Sequence, residues 1–175
     1  MSACLWNDID TALASVITAD MTDAGDYADD GLLIETILFG EVVDPDEHTL
    51  PLVLIRGMDA QYSEDGPHGD GEIHIDTITY AYDLVAIARI EPAVDETVTA
   101  VTARAKAAAT ELLRRLREVV RSRVALGITA RATDGETLDY VRFGGNALVQ
   151  VQGYGGVNGG YIASALLPIE AIASI

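Results

Sequence analysis

Residues 98–124 read VTAVTARAKAAATELLRRLREVVRSRV, and their spacing decides the fold. Val98, Val101, Ala105, Ala108, Leu112, Leu116 and Val119 recur at steps of three or four, the period of one helix face. Asp95 stands where an N-cap would, and Gly127 is a stop signal. The pattern predicts a helix ending at about Val124, with its arginines on the face opposite the apolar stripe. Their place in the last turns also suits the helix dipole. On that reading Arg115 is solvated, and its truncation costs under ~1 kcal/mol.

The segment before this helix carries the longest strand signal, Ile73 to Ile90, which closes at Glu91-Pro92. A strand of that length is expected to leave its sheet at one end as an arm or hairpin. Upstream, Pro51 opens the buried run Leu52-Val53-Leu54-Ile55. Leu32 to Val43 is apolar and β-leaning, and ends at the turn signal Asp44-Pro45-Asp46. At the start, Asn7 or Asp8 can cap a short helix to about Ala19, with Ile9, Leu13, Val16 and Ile17 as its apolar stripe. An acidic loop, Asp20 to Gly31, follows it. Beyond the long helix the chain is β again: Leu138 to Phe143, Ala147 to Tyr154 and Tyr161 to Ile169, divided by Gly144-Gly145-Asn146 and by the loop Gly155 to Gly160. No repeat at a fixed period and no linker interrupts this order, so residues 1–175 read as a single domain.

Charge is distributed unevenly. Seven of the eleven basic residues, Arg104, Lys106, Arg114, Arg115, Arg117, Arg121 and Arg123, fall in a window that holds only two acids, Glu111 and Glu118. That window carries +5, against −17 for the chain and hence −22 for the remainder. One positive and one large negative surface attract each other between copies and favour head-to-tail self-association. The acceptor surface is expected at the acidic loop Asp20 to Asp30 or at the arm Glu64 to Asp76. An acidic surface argues against tight wrapping of DNA. No aromatic residues interleave with the arginines, as they do in single-strand binders.

Other chemistry is thin. An apolar fraction of 49% describes a globular chain, and no apolar run approaches the ~20 residues of a membrane span. Met1 to Asp10 lacks a basic n-region and does not read as a signal peptide. The single cysteine, Cys4, makes no internal disulfide, which suits a reducing compartment. His68, Asp70, Glu72, His74 and Asp76 alternate, but residues two apart on a strand lie nearly ~7 Å apart, too far for three neighbours to share an ion. A polar loop leading into a strand is the better reading. The glycine loop Gly153 to Gly160 precedes a strand rather than a helix, so it lacks a phosphate-cradling helix N-terminus and reads as a hairpin tip. The three histidines, His48, His68 and His74, all lie beside acidic loop residues, and no nucleophile–base pair emerges. No cofactor, metal or catalytic residue is expected.

The order of elements resembles that of the tail terminator (tail completion) proteins of long-tailed phages and related viruses. It is carried by the short N-terminal helix, the acidic loop, the Pro-led strand Pro51 to Ile55, and the long strand ending Tyr80-Ala81-Tyr82-Asp83-Leu84-Val85-Ala86-Ile87. The single Ala/Leu/Arg helix and the closing strand Ala147-Leu148-Val149-Gln150-Val151 complete it. The resemblance implies an α+β fold, with a mixed or mainly antiparallel sheet, one long helix packed on one face and a short N-terminal helix. It implies a non-enzymatic virion neck protein, assembled in the host cytoplasm, that forms a ring, often a hexamer, on the last ring of the tail tube. Its partners would be itself, the tail tube protein and the head–tail connector, with no membrane. DNA would pass through an acidic central channel without specific binding. The arginines Arg114, Arg115, Arg117, Arg121 and Arg123 would form the subunit interface. The alternatives are another tail or neck component, such as a tube subunit or head-closure protein, or a small monomeric binding domain or enzyme using the His68–Asp76 loop.

The chain has one lysine against ten arginines, and Asp outnumbers Glu by 17 to 11. A protein working in concentrated salt shows this balance, and so does one from a GC-rich genome. Self-repulsion at −17 predicts that the melting temperature rises between dilute buffer and ~1 M salt, where the Debye length is ~3 Å. A flat or falling melting temperature leaves codon composition as the explanation.

Overall fold

The computed structural model describes residues 6–23, 25, 27–40, 44–65, 74–122, 137–153 and 160–174. Within them, two α-helices, α1 (Trp6–Met21) and α2 (Val98–Ser122), and one turn of 3-10 helix, Pro45–Glu47, accompany six strands. The strands are β1 (Thr36–Phe39), β2 (Leu52–Asp65), β3 (His74–Ile90), β4 (Thr137–Phe143), β5 (Leu148–Gly153) and β6 (Tyr161–Ser174). The order across the sheet is β1-β2-β3-β6-β4, with β5 also paired to β6. Only β1–β2 is parallel, so the sheet is mixed and the fold is α+β.

The long strand is the axis of the sheet. β3 pairs with β6 from Thr77↔Ser174 to Ile90↔Tyr161 and with β2 from Leu52↔Ile87 to Asp65↔His74. Beyond Ile55 no described strand flanks the other edge of β2, but β3 stays paired to β6 as far as Thr77, so the expected arm is confined to the last pairs, Glu64↔Ile75 and Asp65↔His74; register shifts fall at Gly57/Asp59 and Ser63/Glu64. Such bulges twist and blunt an open edge. β1 begins later than the expected Leu32 start, because among the described residues only Thr36 to Phe39 pair with β2, at Leu52 to Ile55; residues 41–43 lie outside the described residues. The chain between β1 and β2 is about a dozen residues, the length a parallel crossover requires.

One face of the sheet is covered by both helices. On β3, Ile78, Tyr80, Tyr82, Leu84, Ala86 and Ala88 point inward at every second position, and Ala163, Ala165, Leu167, Ile169 and Ala171 do so on β6. α2 lies against these two strands and presents Val101, Ala105, Ala109, Leu112, Leu116 and Val119. Alanines on both sides of the contact let the helix approach the sheet closely. α1 contributes Ile9, Leu13, Ile17 and Met21, four residues at i,i+4 spacing and all buried.

Two boundary expectations are corrected. α2 is capped by Thr97, whose Oγ1 accepts from the Ala100 N–H at 3.3 Å, and not by Asp95. Asp95 sits at φ 63°, in the turn before the helix, and Glu96 accepts from the Ala93 N–H at 2.8 Å. Val98 is 71% exposed, so the buried stripe begins at Val101. Gly127, Cys4, His68, Asp70, Glu72 and the loop Gly155 to Gly159 lie outside the described residues.

The other face of the sheet carries no α-helix among the described residues. It has an apolar row, Leu54, Val85, Leu166 and Leu148, running across four strands. On either side of the row, Arg56–Asp83 at 2.5 Å and Arg142–Glu170 at 2.6 Å are cross-strand ion pairs, and Asp46 pairs with Arg89.

Truncating Leu116, which is 0% exposed, should cost roughly 2–5 kcal/mol, as core leucine truncations do. Arg117→Ala, one residue on but exposed, should stay within ~0.5 kcal/mol. Thermal melts giving equal small losses for both would contradict the packing of α2.

Candidate functional site

Most of the described charged side chains of the window lie on the outer side of α2. Helical spacing divides its cations into two sets. Arg104, Arg114 and Arg115 are neutralised within the subunit. Lys106, Arg117 and Arg121 are exposed and make no ion pair with any described residue. Separations of eleven and four residues place these three on one stripe of the helix.

The neutralised set is tied in by specific geometry. Arg104 Nη2 donates to Glu96 Oε2 and to the Glu91 carbonyl, both at 2.6 Å, and so fastens the start of α2 to the end of β3. Arg114 pairs with Glu111 at i,i+3 and with Glu118 at i,i+4, both at 2.7 Å. Arg115 is 1% exposed, so the expectation that it stands on the solvated face is overturned. Its Nη2 donates to Asp30 at 2.7 Å and its Nε to Glu111 at 2.9 Å, while Tyr27 lies 4.6 Å from the guanidinium carbon. Nη1 is buried without a hydrogen-bond partner.

The acidic loop after α1 therefore does meet the arginine helix, but within its own subunit. Asp30 is spent on Arg115, and the Tyr27 hydroxyl donates to Glu118 at 3.3 Å. Burial and then Glu118 push the Tyr27 phenol up to about 12. Hydrogen bonds from Arg114 first, and from Arg115, hold the Glu111 carboxyl down at about 2, against its burial. The sequence did carry a signal for Arg115. It falls seven residues after Ala108, three after Leu112 and four before Val119, which is the spacing of the buried stripe. Arg123, the remaining candidate, lies outside the described residues.

Among the described residues no three His, Cys, Asp or Glu side chains converge as metal ligands, and no helix is long and apolar enough to cross a membrane. Two clefts border the helices. One of about 290 Å³ is lined by Asp30, Leu32, Ile90, Arg104, Ala107 and Glu111, and its charges are the paired ones just described. The other, of about 360 Å³, lies between α1 and the β1–β2 edge and is lined by Trp6, Asp10, Phe39, Gly40, Ile55 and Gly57. Comparison with protein families found none that matches this chain, and comparison with curated proteins found no significant similarity.

Removing Arg115 should destabilise the fold by about 2–4 kcal/mol, because a buried guanidinium loses its packing and two carboxylates lose their partner. The Glu111 carboxyl is depressed in the folded chain, so its contribution is present above its ordinary 4.5 and is lost as pH falls through about 2. Melts of wild type and Glu111→Gln should therefore converge as pH is lowered across that interval. A gap that stays constant in acid would contradict the assignment.

Proposed function

We propose that this protein is a structural subunit that associates head-to-tail through the exposed cation stripe of α2, and that its assembly is a ring of the tail-terminator kind in a viral neck. The observation that carries the reading is the set Lys106, Arg117 and Arg121. These cations stand exposed without a described ion-pair partner, on a chain whose net charge is −17. In such a chain a neighbouring subunit offers far more negative than positive surface, so unpaired cations find partners between copies. A contact of this kind joins two different surfaces. It closes into a ring when the rotation closes, and runs on as a filament when it does not.

Two features support the neck assignment. The α+β arrangement, a mixed sheet with the long helix on one face and a short N-terminal helix, agrees with what the resemblance implies. The acidic remainder would line a channel that passes DNA by repulsion rather than by grip. On this reading the ring caps the tail tube, meets the head-side connector and performs no catalysis.

Light scattering on wild type and on Lys106→Glu/Arg117→Glu/Arg121→Glu tests the proposal. Wild type should form a discrete assembly several times 18.6 kDa, and the triple variant should remain monomeric with a native circular dichroism spectrum. A variant that still assembles would show that the stripe is not the contact. A wild type that is monomeric at high concentration and fails to cap a tail tube would remove the terminator reading.

A further inference from the structure

The cleft between α1 and the β1–β2 edge is built around the chain's only tryptophan. Trp6 is held by Tyr80, edge-on at 4.8 Å between ring centres, and by Tyr82, tilted at 4.9 Å. Its indole lies so close to β2 that a Cβ on Gly57 would sit 2.8 Å from a ring carbon, so only glycine admits this packing. Asp10 follows Trp6 by four residues, one helical turn, and lines the same cleft. The Tyr82 hydroxyl, itself buried, bonds the Asp10 carboxylate and lies 3.3 Å from the Trp6 carbonyl. Burial pushes the Asp10 carboxyl above its ordinary 3.8, against the lowering effect of that hydrogen bond. No described arginine or lysine reaches it. Phe39, 54% exposed, adds a second aromatic surface.

A carboxylate set among fixed aromatic rings is the chemistry that recognises an organic cation, with the ring faces and the anion acting together. A planar guanidinium suits it better than an ammonium, because it stacks on a ring and bonds a carboxylate at once. The other cleft lacks this vacancy, since Asp30 and Glu111 already hold Arg115. We infer that the Trp6–Asp10–Phe39 cleft is the receiving half of the subunit contact and takes an arginine, Arg117 or Arg121, from α2 of a second copy. The inference rests on the head-to-tail reading and supplies an acceptor beyond Asp30, the residue of the acidic loop that is already paired with Arg115.

Trp6 is the only indole in the chain, so its fluorescence reports the cleft directly. The experiment is a dilution series of the full chain, followed by sedimentation velocity and Trp6 emission together. Wild type is compared with Asp10→Asn, with Phe39→Ala, and with a charge exchange joining Asp10→Arg to Arg117→Asp and Arg121→Asp. The expected result is that Trp6 emission shifts with assembly, that Asp10→Asn and Phe39→Ala each weaken association by about tenfold, and that the charge exchange restores it. Phe39 is largely exposed, so its loss tests the contact without endangering the fold. A wild type that assembles with unchanged Trp6 emission, or with the same affinity in both single variants, overturns the cleft as acceptor and leaves the assembly reading standing. A wild type that stays monomeric at every concentration overturns the second copy as occupant together with the assembly reading.

Discussion

The burial of Arg115 is the constraint on which the rest of the charged surface depends. A guanidinium at 1% exposure requires anions at fixed positions, and the chain supplies them from two directions: Glu111 one turn back on α2, and Asp30 on the loop that leaves α1. The pairing holds that loop on the helix, and the ring of Tyr27 closes over the same group. It also decides the surface charge. With Asp30, Glu111 and Glu118 committed inside the subunit, Lys106, Arg117 and Arg121 are left to face outward. One buried side chain thus sorts the cations of a single helix into those that hold the fold and those available to a neighbour.

The same division runs through the sheet. The helix-covered face is apolar throughout its centre, with alanines where α2 approaches. On the opposite face, Arg56–Asp83 and Arg142–Glu170 neutralise each other across strands. A subunit whose surfaces differ in this way is suited to a heterologous contact, in which one patch meets a different patch on the next copy.

Much of this order was legible in the residues. The 3.6-residue period fixed α2 and the stripe of α1, and the length of the β-leaning run before Glu91-Pro92 marked β3 as the longest strand. β2 was legible only as far as Ile55. Residues 56–65 are largely polar because they form an open edge, with a partner strand on one side alone, and polarity there reads as loop. β1 was over-extended, because an apolar run does not reveal how many of its residues find a ladder partner. Arg115 was misassigned because a charged residue was taken to be solvated by type, although its spacing set it among the buried positions. The Trp6 cleft could not be read at all. It needs Gly57 against the indole and Phe39 beside it, and both depend on β1 pairing with a strand that begins about a dozen residues later.

The central claim is that the outward cations of α2 join copies of this chain into a closed ring. Electron microscopy of the purified full-length protein tests it most directly, with native mass measurement on the same sample. The account predicts annular particles of one subunit number, with a mass that is an integral multiple of 18.6 kDa and a central opening. Particles of 18.6 kDa at every concentration, or open filaments without a fixed length, would contradict it.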